Sequence, residues 1–384
     1  MRNINQIIPI ETEILKWARK RLNLEIAEVA HKIGKKPSEV TNWENGKSLP
    51  SLAQLEELAY DVYKIPLATF FLSEVPQEPK INQQFRTIPD SEIDNLPPAF
   101  IISVKEGQYY QAVLRELFDN KNPVPNPLFK AIGRVENTSL QKVADTIREK
   151  LLISLEIQSS FKDSTEAFKY YRNALETSGI FVFQQTLKTI CRGYSLYDSE
   201  FPIIVVNSSE ISDTGKNFTL FHEFCHLLHA TGGISNEFTY QSTNNIEVIC
   251  NKLASLILVD THELLDELKL KQIDPKQVSD LQLGIISKKF RVSKEVILRK
   301  LLDLDLTTQK FYLEKRKEWL SSLPLRKKSK GGNHFNIKLS KLGYNYSSIV
   351  LRNMYSGKIS KYQASEYLNT KINYLPVIEK LVFK

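Results

Sequence analysis

The chain is 384 residues long and carries 52 Lys and Arg against 44 Asp and Glu, a formal charge of +8. Its length predicts two or three domains, and 42% hydrophobic with 25% charged residues is an ordinary globular composition, neither disordered nor fibrous. No apolar run approaches the roughly 20 residues of a membrane span. No signal-peptide core opens the chain, and three scattered cysteines, Cys191, Cys225 and Cys250, make neither a disulfide framework nor a C-x-x-C pair. The expected setting is the cytoplasm, with no membrane partner. The positive surplus permits a nucleic-acid partner without requiring one.

From Glu11 to Leu72 the apolar spacing predicts five short helices. Ile14, Leu15, Ala18 and Leu22 form the first stripe, and Ile26, Val29, Ala30 and Ile33 the second. Gly34 supplies a turn, and Pro37 suits the first position of a third helix that ends in W-E-N-G. Pro50-Ser51 opens a fourth, with Leu52, Leu55, Leu58 and Ala59 inward, and IPLATFFL makes a fifth. A helix, a glycine turn and a second helix within such a bundle can set a short helix into a DNA major groove. The line EVAHKIGKKPSEVTNWENGKSLPSLAQLEELA resembles the Cro/C1-type (XRE) helix-turn-helix family. The resemblance implies double-stranded operator DNA as partner, with a homodimer among the assemblies it allows. It places base reading on Pro37, Ser38 and Asn42, and phosphate contacts on Lys35, Lys36 and Lys47. Two features depart from the family: Ile26 replaces the usual Gln, and Pro37 has no side-chain hydrogen bond to offer a base. Glu39 and Glu44 add negative charge to the same helix. The competing reading is a fold kept for protein contacts.

Ser73 to Pro98 is polar with five prolines and reads as a linker. Helical spacing returns over Ala99–Phe118, and amphipathic helices are predicted over Leu140–Leu152 and Ser164–Thr177. GIFVF (Gly179–Phe183) and FPIIVVN are short buried strands, with the turn-rich RGYSLYDSE between them. Helices, a small sheet and the segment described next make an α+β domain.

That segment, Phe218 to His229, reads FTLFHEFCHLLH and contains an H-E-x-x-H pattern. On a helix, His222 and His226 lie one turn apart on nearly one face and can offer two imidazole nitrogens to one Zn²⁺. Glu223 projects beside them as a general base, and Gly232-Gly233 supplies a stop. A catalytic zinc needs a third protein ligand. The HxxGxxH continuation of metzincins is absent. His229 lies about 10 Å beyond His222 along the axis, so supporting or packing duty suits it better. Glu247, in the first turn of a second predicted helix (NNIEVICNKLASLILV), shares a face with Cys250, Ala254 and Ile257 or Leu258. It is the better candidate, although acids also suit helix N-termini for their own sake.

These residues resemble the ImmA/IrrE-type metallo-endopeptidases: a strand ending in Asn (Ile203–Asn207), F-T-x-x-H-E-x-x-H (Phe218–His226), and E-x-x-x-N-x-x-A on Glu247, Asn251 and Ala254. The resemblance implies metal ligation by His222, His226 and Glu247, with Glu223 as base. The second helix departs from the family in ending LILVD. Asn251 and His229 are candidates for supporting contacts, and Tyr240 or His262 for a second oxyanion donor.

After this core, SKKFRVSKEVILRKL looks like a further helix-turn-helix, read here as cover for the peptidase. LRKKSKGGN is a basic link, and a small helical region closes the chain. The expected division is 1–75 helix-turn-helix, 76–98 linker, 99–270 zinc peptidase, 271–322 helical cover and 323–384 basic link with C-terminal helices. The expected function is a DNA-binding regulator with zinc endopeptidase activity on a repressor or antitoxin-like protein, switching stress, phage or mobile-element genes. The alternative is a DNA-binding or antitoxin-like regulator with a silent or metal-sensing peptidase fold. The intact Glu223 favours the enzyme.

Overall fold

The structure, a computed structural model, describes residues 10–78, 96–135, 140–187, 191–210, 212–230, 234–235, 245–321 and 333–384. It divides into two compact units, Met1–Glu106 and Gly107–Lys384. No described helix is long and apolar enough to cross a membrane.

The first unit holds α1 (Thr12–Lys20), α2 (Ile26–Lys32), α3 (Pro37–Glu44) and α4 (Leu52–Glu57). α4 continues into a π-helical turn, Leu58–Tyr63, and the predicted fifth helix is a 3-10 turn, Leu67–Phe71. Lys64 in the left-handed conformation and extended Pro66 break the helix between them, leaving too few residues for a further α-helix. Ile14, Leu15, Ala18, Val29, Val40, Trp43, Leu55 and Leu58 meet in one core, which Ile101 also joins. Leu52, expected inward, is 36% exposed because the first position of α4 points away from that core.

In the second unit, α5 (Pro98–Leu117, which begins in the first) precedes α6 (Leu128–Ile132), α7 (Leu140–Lys150), α8 (Leu155–Ser160) and α9 (Ser164–Thr177). A four-stranded sheet follows in the order β1-β3-β2-β4. β1 (Phe181–Gln185) and β3 (Ile203–Asn207) are parallel, while β2 (Gly193–Leu196) runs antiparallel to both β3 and β4 (Ile234–Ser235). β2 lies inside the stretch expected to be turn-rich. Its residues alternate as a strand requires: Ser195 bonds to the helix beneath, and Tyr194 and Leu196 lie against Gly107 on the opposite face. With Gly and Ser on the inner face, the strand shows no apolar signature in the sequence.

α10 (Asp213–Leu228) packs against β2 and β3, and α11 (Asn245–Leu258) packs against α10. Val182, Ile204 and Val206 join α10 and α11 in the main core, while the Phe183 ring stacks on Tyr110 at 4.3 Å from the other side. Both faces of the sheet are therefore covered, which explains the uninterrupted apolar strands. α12 (Thr261–Leu270), α13 (Asp280–Phe290), α14 (Lys294–Asp303) and α15 (Gln309–Ser321) follow. Leu283, Ile286, Phe290, Ile297 and Leu301 place the α13–α14 pair in the same core. α16 (His334–Leu342), α17 (Tyr344–Tyr355), α18 (Lys361–Tyr367) and α19 (Leu375–Val382) complete the chain. Arg172 and Gln184 both donate to the Ser340 carbonyl, at 2.6 and 2.9 Å, and tie α16 to β1.

Candidate metal centre

α10 starts five residues ahead of the predicted Phe218, where Ser212 Oγ accepts the Gly215 amide at 3.1 Å and caps the helix. It stops at Leu228, short of the glycines. Ala230 takes the left-handed conformation (φ 54) expected of a glycine after a helix end. The Gly232-Gly233 stop and Tyr240 lie outside the described residues.

Within α10, His222, Glu223 and His226 are all buried, as is Glu247 on α11. His222 Nε2 and His226 Nε2 each lie 3.2 Å from a Glu247 carboxylate oxygen and 3.2 Å from one another. One donor atom from each of the three falls within 4.8 Å of the others, a set that can hold a metal ion. Two imidazole nitrogens and a carboxylate suit zinc, and a three-residue set leaves a fourth position open. Asn251, one turn after Glu247, has its Oδ1 2.9 Å from His222 Nδ1. A proton on Nδ1 donated to that oxygen leaves Nε2 as the ligating lone pair.

Electrostatics at the cluster follow from burial against charge. Burial alone would raise Glu247, yet hydrogen bonds from His222 and His226 hold it far below the usual carboxylate range. Burial likewise opposes a charged His226, but the Glu247 hydrogen bond and the Glu223 charge push it up to about 9. Burial works to raise the Cys225 thiol, and hydrogen bonds with Cys250 and His229 act against it and hold the thiol below its ordinary value.

β2, which carries no apolar signature in the sequence, supplies a further residue of the site. Ser195 Oγ on β2 donates to Glu223 Oε2 at 2.8 Å. Gly193, two residues earlier, is the only type that fits there: a Cβ would sit 2.6 Å from Thr219 Cγ2 and 2.7 Å from the Val205 carbonyl. Thr219 of the F-T-x-x-H phrase is thus the floor on which β2 rests.

The other candidates separate. His229 caps α10 and reaches Cys225. His262 is exposed in the first turn of α12, with no hydrogen bond to the cluster among the described residues. Glu263, next to His262, pairs with Arg148 at 2.7 Å and accepts the Leu155 amide. Asn207, the Asn ending β3, is buried and ties its own loop, donating to the Cys191 carbonyl at 2.8 Å.

In the first unit, Gly34 (φ 62) makes the turn between α2 and α3, and Pro37 opens α3 with Glu39 accepting the Lys36 amide at 3.0 Å. Lys36, Pro37, Ser38 and Lys47 are exposed. Lys35 and Asn42 are half-buried, and Lys35 lies 3.8 Å from Glu39. Glu44 does not add charge to the outer face as expected, because it is buried and held by Arg19 through bonds of 2.7 and 2.9 Å.

Residues 15–60 match the family model described as helix-turn-helix, and residues 175–302 match that of the M78 peptidases, described as IrrE N-terminal-like domain. The chain fuses these two modules. The M78 segment spans β1 to α14 and contains the whole His222, His226 and Glu247 cluster. No curated protein and no solved structure matches the chain.

Proposed function

We propose that this protein is a DNA-binding regulator whose M78 segment is a zinc endopeptidase acting on a repressor or antitoxin-like protein. The convergence of His222, His226 and Glu247 beside a buried Glu223 carries the reading. His222 and His226 would hold the ion from α10 and Glu247 from α11, with Asn251 fixing the His222 tautomer. Zinc bound there supplies Lewis acidity to the water and the scissile carbonyl. Glu223 accepts the proton of the attacking water and passes it to the leaving amine. Ser195 keeps that carboxylate in one rotamer through the 2.8 Å bond. Operator recognition belongs to α3, through Ser38 and Asn42 with Lys35, Lys36 and Lys47 on phosphates, and a homodimer is consistent with it. The test is incubation of the zinc-loaded protein with purified repressors encoded nearby, followed by mass spectrometry of the products. Cleavage by wild type and none by Glu223→Gln is the expected result. Equal processing by both would defeat the assignment of Glu223.

A further inference from the structure

Beside the metal-ligand cluster, on the His222 side, α10, α11 and α14 enclose a small pocket of ≈ 30 Å³. Its lining includes two residues in contact with His222 and one that follows Glu247 in the chain. Val248 follows Glu247, Asn251 is the partner of His222, and the Phe218 ring lies 6.4 Å from the His222 ring. Only a chain segment that leaves the cluster past His222 and Asn251 can bring a neighbouring side chain to this space.

The lining has a definite chemistry. Ser255 is buried, and its Oγ has no hydrogen-bond partner among the described residues. A buried hydroxyl left without a partner costs about 1–3 kcal/mol, so an acceptor entering the pocket is favoured. Lys252 is exposed at the rim and makes no ion pair among the described residues. Arg299 and Asp303 also line the pocket, but they are paired with each other at 2.9 Å. The anion is thus engaged, and one cation and one donor remain unanswered. Phe218, Val248 and Val296 give apolar walls for a short stem. About 10–15 Å³ suffices for one water, so the volume suits a carboxylate head and not an aromatic ring.

We propose that this pocket is a substrate subsite that selects a short acidic side chain, aspartate foremost, next to the peptide bond held at the cluster. The proposal rests on the peptidase reading and adds the class of residue the substrate must present there. A carboxylate in the pocket accepts from Ser255 Oγ and pairs with Lys252.

The experiment uses the full chain carrying Glu223→Gln, loaded with zinc, and fluorescein-labelled peptides about ten residues long that differ at one central position. Fluorescence anisotropy should give roughly tenfold tighter binding for Asp than for Asn or Leu at that position, weakening with salt. Adding Lys252→Glu should reverse the preference towards Lys, and Ser255→Ala should reduce the advantage of Asp while leaving zinc content unchanged. Equal binding of the Asp, Asn and Lys peptides, or an Asp preference that survives Lys252→Glu, overturns the proposal. Hydrolysis of the same peptides by the wild-type protein is scored separately: its absence counts against the peptidase reading, whereas flat binding counts against the pocket.

Discussion

At His226, burial and charge compete at a single ring. In the metal-free protein the imidazole is raised from 6.5 to about 9 by Glu247 and Glu223 against the pull of burial. A folded-state value above the unfolded one contributes stability that is full below about 6.5 and is lost as pH rises through about 9. Thermal unfolding of the metal-free protein should therefore show a midpoint that falls across that window. Glu247 acts in the opposite sense: its contribution is present above the ordinary carboxylate value and is lost only on strong acidification. Zinc must displace the His226 proton, so calorimetry at pH 7.5 in buffers of different ionisation enthalpy should report release of about one proton per ion. His222→Ala or His226→Ala should abolish stoichiometric zinc, and Glu223→Gln should keep it. Glu247→Gln should weaken zinc by at least about an order of magnitude. Glu263→Gln should leave zinc alone, since Glu263 serves Arg148, and should cost stability by about 1–2 kcal/mol. Loss of zinc in Glu263→Gln with retention in Glu247→Gln would reverse the ligand assignment.

Two backbone positions carry the element scale. Gly193 lets β2 lie directly on α10, and Gly193→Ala drives a methyl into Thr219 and the Val205 carbonyl. A loss of about 1–3 kcal/mol in urea unfolding is expected, with activity falling further than stability because Ser195 moves with the strand. Thr219→Ser removes the Cγ2 that lies 2.6 Å away, so the double variant should recover part of the loss. At the other end of α10, Ala230 holds a left-handed conformation that costs a side chain about 1–2 kcal/mol. Ala230→Gly should raise the melting temperature without changing zinc affinity. A fall would show that Ala230 contributes packing the backbone argument omits.

For the whole molecule, charge and core placement decide how the first unit behaves. Residues 1–78 hold ten Lys and Arg against eleven Asp and Glu, so the +8 of the chain does not reside there. On the proposed reading, attraction to DNA rests on the local set Lys35, Lys36 and Lys47, with Glu44 withdrawn into its pair with Arg19. Lys36→Ala or Lys47→Ala should weaken operator and random DNA alike and lower the salt slope by about 1. Asn42→Ala should reduce discrimination between them. Because Ile101 belongs to the first core, a fragment ending at Glu106 should unfold later than one ending at Val75, by about 1.5–3 kcal/mol. Equal stability of the two fragments would place the boundary before the linker after all.

The sequence by itself determined whatever rests on local spacing. Two histidines four residues apart on an apolar helix must share a face, and Glu247 with Asn251 repeats that geometry on the second helix. The bundle stripes and the buried strands β1 and β3 were legible for the same reason, since periodicity reports which side of an element is dry. Only the tertiary structure decided contacts between elements distant in the chain. β2 hid among turn residues because the face it turns to α10 must be Gly and Ser to admit Thr219 and the Glu223 carboxylate. Nothing near Glu44 or Glu263 in the sequence points to Arg19 and Arg148, 25 and 115 residues away, which pair with them in the fold. A charge in sequence carries no sign of its partner; folding supplies the partner, and the partner determines whether the charge faces solvent or the interior.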